Sequence, residues 1–99
     1  MKISVIRTGG YAGLSDELVA LDTADLDATA ARRVEELVRG IRFFELPRDI
    51  AGGAIGADMF RYEIAVTDAD RQHSIGFVAD ESPETAPLRR LVDALTQIA

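Results

Sequence analysis

The 99-residue sequence contains no cysteine, no tryptophan and a single histidine, His73. Without cysteine, the chain has no disulfide framework, no thiolate zinc site and no cysteine nucleophile. Catalytic zinc sites generally use three protein ligands rich in histidine, and one histidine does not supply such a set. We therefore expect no bound metal in this chain.

Long hydrophobic runs are also missing. Within residues 1–20, Arg7, Thr8 and Gly9 interrupt the first apolar segment, so the sequence shows no signal peptide. No apolar stretch approaches the roughly 20 residues that a transmembrane helix needs. We expect a cytoplasmic protein that has no membrane partner.

Basic residues are scarce relative to acidic ones. The chain has 11 Lys and Arg residues against 17 Asp and Glu residues, for a net charge of −6, and no basic residue lies between Arg7 and Arg32. Nucleic-acid binding normally needs a basic surface, so this balance argues against a nucleic-acid partner. The acidity either serves solubility or contributes to the choice of a protein partner, and both interpretations stay open.

The sequence also lacks the groups that catalysis or cofactor binding requires. Gly9-Gly10-Tyr11-Ala12-Gly13 follows a predicted strand, but no Lys-Ser/Thr pair follows it, and the acidic Asp16 lies close behind. His73 has Ser74 and Ser15 as conceivable relay partners, yet no strand-to-helix elbow surrounds either serine. We expect a protein that is not an enzyme, has no catalytic residues and binds no cofactor.

The remaining composition is that of a globular protein, because hydrophobic residues make up 47% and charged residues 28% of the chain. Together with the length, it predicts one domain over residues 1–99. A strand is predicted over residues 2–8. The alternating pattern of residues 60–66, the turn residues Asp68-Ala69-Asp70 and the returning residues 72–78 predict a hairpin. Residues 14–23 fit a helix or a buried strand, and the strand is favoured because a glycine-rich connection precedes it.

Two amphipathic helices complete the predicted fold. The first follows Asp27 as its N-cap and ends before Gly40, and the second starts after Ser82 or Thr85, with Pro87 favouring Thr85. Their apolar stripes repeat at helical spacing and consist of Ala31, Val34, Leu37, Val38 and Ile41, and of Leu88, Leu91, Val92, Leu95 and Ile98. We predict an α+β fold, with a four-stranded antiparallel sheet in β-β-α-β-β-α order and both helices packed on one face.

Two connections differ from each other in residue type. Residues 43–47, Phe-Phe-Glu-Leu-Pro, are aromatic and are expected to enter the core, whereas residues 50–57 are rich in Gly and Ala and predict a mobile loop. The connection after Gly9 carries Tyr11 and Leu14 on a glycine frame. Tyr11 is either an exposed interface anchor or a lid that folds back over the core, and the sequence leaves both open.

Several short segments, taken together, resemble the emfourin family of small bacterial protein inhibitors. The resemblance rests on Met1-Lys2-Ile3, Arg7-Thr8-Gly9-Gly10-Tyr11-Ala12-Gly13-Leu14, Leu21-Asp22-Thr23, Phe43-Phe44-Glu45-Leu46-Pro47, Ala57-Asp58-Met59-Phe60-Arg61-Tyr62 and the closing leucine helix. These segments follow one another in the family's order over nearly the whole chain. The targets of that family are protealysin-like enzymes, which are thermolysin-type (M4) zinc metallopeptidases.

The resemblance implies a competitive inhibitor that plugs the substrate cleft of an M4 zinc peptidase with surface loops, the zinc belonging to the enzyme. Such peptidases favour bulky apolar residues beside the cut, so apolar loop residues are the candidate anchors. The candidate protease-binding residues are Gly9, Gly10, Tyr11, Ala12, Gly13 and Leu14 in one loop and Ile50 and Ile55 in another. We expect a monomer in the free state. The alternative is a non-inhibitory binding module or regulator with the same fold.

Overall fold

A computed structural model describes residues 1–9, 14–50, 60–79 and 82–98, and of Leu14 it describes only the backbone. The strands are β1 (Lys2–Gly9), β2 (Leu14–Asp22), β3 (Asp49–Ile50), β4 (Phe60–Asp68) and β5 (Arg71–Val78), and the helices are α1 (Ala28–Gly40) and α2 (Ala86–Ile98). Short 3₁₀ turns span Thr23–Asp25 and Phe43–Glu45. Residues 14–22 form a strand, as favoured from the sequence.

The strands form one five-stranded mixed sheet in the order β2-β1-β4-β5-β3. The pairs β1–β2, β1–β4 and β4–β5 are antiparallel, while β3 pairs with β5 in parallel. The predicted four-stranded, purely antiparallel sheet is therefore wrong. The sequence missed β3 because two residues are too few to show a period-2 pattern. Pairing with β5 begins where the Gly76 N–H donates to the Arg48 carbonyl at 2.8 Å.

One face of the sheet and both helices enclose a single core, as the apolar stripes predicted. Cross-strand partners project to the same face of a sheet, and the core face is defined by the pairs Ile3–Val66, Val5–Ile64, Val5–Val19 and Ile64–Ile75. The buried residues of that core are Ile3, Val5, Val19, Val34, Val38, Phe43, Ile64, Val66, Ile75, Phe77, Leu88, Leu91, Val92 and Leu95. Phe43 confirms that the aromatic connection enters the core.

The helix starts follow the predicted capping chemistry, but one helix end does not. The Asp27 carboxylate accepts a hydrogen bond from the Ala30 N–H at 2.7 Å, and α2 begins directly after Thr85. Gly40, however, is the last residue of α1 rather than the residue beyond it. The left-handed position falls on Arg42 instead, with φ 54° and ψ 50°, because the helix continues one residue further than the glycine suggested.

The sheet has two distinct ends. At one end, which we call the loop end, lie Gly9, Leu14, Ile50, Phe60 and Val78, and the opposite end carries the turn between Asp68 and Arg71. No helix within the described ranges is long and apolar enough to cross a membrane.

Candidate functional site

The candidate residues predicted from the sequence meet at the loop end only in part. Gly9 and Leu14 are cross-strand partners on β1 and β2, and Gly9 also pairs with Phe60 on β4. Gly10, Tyr11, Ala12, Gly13 and Ile55 lie outside the described residues. The structure therefore places Gly9, the backbone of Leu14 and Ile50 on the same end of the sheet.

Gly9 ends β1 in a conformation that favours glycine. Its φ is 110°, a region that residues with a side chain rarely adopt. It closes the strand that lies between the edge strand β2 and the central strand β4. Gly9 thus contributes through its backbone conformation rather than through a side chain.

Ile50 occupies a different environment from the one expected of an exposed anchor. It is the second residue of β3, pairs with Phe77 on β5 and lies half-buried against the core. Its side chain contributes to packing at the edge of the sheet. Ile50, the first residue of the second candidate loop, is thus packed against the core.

Phe60 is the one large apolar side chain that is exposed among the described residues, with 40% of its surface accessible. The Arg7 guanidinium lies over its ring, with Cζ 4.5 Å from the ring centroid. Arg7 in turn donates from Nη2 to the Asp16 carboxylate at 3.2 Å. We call Phe60, Arg7 and Asp16 the Phe60 platform. A cation over an aromatic face is attracted by the ring quadrupole, so the three side chains hold one another in place.

A β-bulge brings Asp16 opposite Arg7. The register of β1 on β2 shifts between Val5 and Ile6, so that Val5 pairs with Val19 but Ile6 pairs with Glu17. Without the extra residue, Leu18, Arg7 would face Glu17 instead of Asp16. Bulges commonly re-aim side chains at the edges of sheets, and here the bulge completes the platform.

One polar atom of the Arg7 side chain lacks a hydrogen-bond partner among the described residues. Its Nε is buried and, among the described residues, has no hydrogen-bond partner. Buried polar groups in folded proteins are nearly always hydrogen-bonded, so an exception needs a reason. The reason lies in the two contacts of the guanidinium, which faces the Phe60 ring and donates from Nη2 to Asp16.

A surface depression of about 430 Å³ lies beside the platform. Its floor is rigid, because the Tyr62 ring stacks on the buried Phe77 ring at 5.5 Å and 17°. The residues that line it are Arg7, Leu18, Tyr62, Val92, Asp93, Thr96 and Gln97. The loop end therefore offers a fixed aromatic and arginine surface with a shallow hollow next to it.

The polar groups that the sequence offered for a catalytic relay do not come together among the described residues. His73 Nε2 lies 2.7 Å from the Leu46 carbonyl, and its ring packs edge-on against Phe43. The Ser15 hydroxyl lies 3.2 Å from the Thr8 hydroxyl, and Ser74 projects to the other face of β5 because successive strand residues alternate. His73 is thus a structural residue of the sheet. Within the described residues no group of three or more His, Asp or Glu side chains is placed to hold a metal ion.

Sequence reasoning missed the Phe60 platform. Phe60 alternates with Tyr62, Ile64 and Val66, which predicts an inward-facing residue and so conceals its exposure. Its position as the first residue after a long glycine-rich segment was the available signal. The contact between Arg7 and Asp16 could not be predicted, since no sequence pattern indicates where a bulge falls.

Comparisons with known proteins identify one relationship. The protein-family profile described as Emfourin matches residues 5–96. The search of curated proteins and the search of solved structures returned no match. The matched range includes β2, β3, β4, β5 and α1 in full, most of β1 and α2, and every residue of the Phe60 platform.

Proposed function

The chain belongs to the emfourin family, a family of protease inhibitors, and on that premise we propose that it inhibits thermolysin-like (M4, protealysin-type) zinc peptidases. In this proposal, residues at the loop end enter the substrate cleft and compete with substrate. The zinc and the catalytic groups belong to the peptidase. The inhibitor contributes shape and apolar contact only.

The observation that supports this proposal is the convergence of the two candidate segments at one end of the sheet. Gly9 and Phe60 are Cα partners on adjacent strands, and paired residues of antiparallel strands lie about 5 Å apart. The segment of residues 10–13 therefore begins next to the point where the segment of residues 51–59 ends.

The size of the molecule is compatible with this contact. The accessible surface is 6271 Å², and a standard interface takes about 800 Å² from each partner. Roughly an eighth of the surface is enough, and one end of a molecule measuring 40 × 26 × 22 Å can supply it. Area alone does not set affinity, so the identity of the anchor residues must be tested directly.

The test is a titration of the purified protein into a protealysin-type M4 peptidase, with cleavage of a fluorogenic peptide as the readout. We expect stoichiometric loss of activity, with the inhibitor intact afterwards by mass spectrometry. Full activity at large excess, over several such peptidases, would contradict the proposal and leave a binding module with a different partner.

A pair of neighbouring substitutions tests the site within the same assay. Leu14→Asp is expected to weaken inhibition about 30-fold or more, the loss typical of an interface hot spot, while the melting temperature changes by only a few degrees. The matched control is Ser15→Asp, which adds the same charge one residue further along the exposed part of β2. Equal loss in both variants would assign the effect to charge rather than to the apolar anchor.

A further inference from the structure

We propose that the Phe60 platform is a preformed anchor for the peptidase: the exposed edge of Phe60 seats against an apolar surface at the rim of the substrate cleft. Arg7 acts as a positioning residue that holds the ring. This inference rests on the proposed function and adds to it an anchor outside the two candidate loops. The partner surface that fits an exposed phenyl ring is apolar.

The exposure of Phe60 is the first argument. Burial of a large aromatic ring stabilises a folded protein, so a ring that stays exposed gives up part of that stabilisation. The Phe60 side chain is 40% exposed at the start of β4. Aromatic residues, phenylalanine among them, and arginine are enriched in the buried core of protein–protein interfaces. Both types occur in one contact, with Cζ 4.5 Å from the ring centroid.

Rigidity is the second argument. Binding costs conformational freedom at the interface, and side chains that are already ordered lose less of it. Arg7 is fixed on one side by the ring and on the other by Asp16, whose carboxylate lies 3.2 Å from Nη2. Two contacts therefore hold the guanidinium before a partner binds.

Location is the third argument. Phe60 pairs with Gly9, where the first candidate segment begins, and is itself the residue that follows the second segment. A peptidase that contacts the end of β1 at Gly9 therefore lies beside Phe60. The platform is continuous with the contact already proposed rather than a separate site.

The fold contains a matched control for this test. A second cation–π pair, Arg71 over Phe44 at 4.3 Å, lies at the opposite end of the sheet, where Arg71 pairs with Asp68. Phe60 and Asp68, the first and last residues of β4, are eight positions apart. At the rise of an antiparallel strand, this corresponds to about 27 Å. Phe44→Ala removes the same kind of side chain from the same kind of contact, far from the loop end.

The experiment measures inhibition constants of the two alanine variants against the same M4 peptidase, with thermal melts to verify folding. Phe60→Ala is expected to weaken inhibition about 30-fold or more, and Phe44→Ala to leave it within about twofold of the parent. Phe60→Leu keeps an apolar side chain, so this variant is expected to fold like the parent. It loses only the contact made by the aromatic ring, which is expected to weaken inhibition about 2- to 10-fold.

A double-mutant cycle separates positioning by Arg7 from a direct contact. If Arg7 acts by holding the ring, Arg7→Ala weakens inhibition in the parent but adds little in the Phe60→Ala background. Fully additive losses would overturn the positioning role. If the parent inhibits and Phe60→Ala inhibits as tightly, this inference fails while the proposed function stands. If the parent inhibits no such peptidase, both fail.

Discussion

Gly9 provides the sharpest test of how the sheet presents the loop end. Its φ of 110° is accessible to glycine but costs a residue with a side chain about 1–3 kcal/mol. Alanine recovers about 0.4–1 kcal/mol by restricting the unfolded chain, so at the middle of these ranges Gly9→Ala is expected to lower the free energy of unfolding by about 1.3 kcal/mol. For a domain of this size that corresponds to a fall in melting temperature of about 5–10 °C.

Gly40 serves as the internal control for the same substitution. It ends α1, and an added Cβ there would meet nothing within 4 Å. Alanine is favoured over glycine in a helix by about 0.5–1 kcal/mol, so Gly40→Ala is expected to raise the melting temperature, by up to about 8 °C. The two variants therefore move in opposite directions although the chemical change is identical. Thermal and urea denaturation, followed by circular dichroism, measure both.

A chain assembled by chemical synthesis with D-alanine at residue 9 isolates the cause. D-alanine accepts positive φ without strain, so this chain is expected to be at least as stable as the parent, while L-alanine at the same position is destabilising. The reasoning is refuted if Gly9→Ala melts at or above the parent temperature, or if the D- and L-alanine chains are equally destabilised.

Two further substitutions test local features of the fold. Arg42→Gly removes an arginine from a left-handed conformation at φ 54° and gives up only a solvent-exposed ion pair with Glu45, so we expect a gain of about 1 kcal/mol in the unfolding free energy by urea titration. Thr85→Val keeps the shape of a fully buried residue but removes a hydroxyl that donates to the Ser82 carbonyl and accepts from Arg89; we expect a loss of about 1–3 kcal/mol in the same assay, with Thr85→Ser retaining most of the stability.

Much of the fold follows from periodicity. The stripes that contain Val34 and Val38, and Leu91 and Leu95, predicted the buried faces of the two helices, and capping chemistry located the helix starts after Asp27 and Thr85. These features are local, because a helix shows its buried face at a fixed spacing along the chain. The strand that the sequence missed, β3, is held by contacts with β5 that are distant in sequence and only two residues long.

The candidate site was less accessible to sequence reasoning. The glycines after β1 indicated a loop, but nothing in the sequence indicates that Phe60 emerges beside Gly9 rather than inside the core. The pairing of Phe60 with Gly9 depends on the order of the strands. The contact between Arg7 and Asp16 depends on the β-bulge at the register shift between Val5 and Ile6. Strand order and bulges arise from tertiary packing, which overrides local pattern.

The strand order also bears on what a peptidase achieves if it does cut this chain. A single break among residues 51–59 divides the chain into one piece that holds β1 and another that holds β4, yet these strands are neighbours, joined by eight residue pairs. A break among residues 10–13 likewise leaves β1 between β2 and β4, the two strands contributed by the other piece. In both cases the fragments interleave in one sheet and share one core. Because neighbouring strands then come from different fragments, the two pieces of a chain cut at the loop end are expected to stay associated through the sheet.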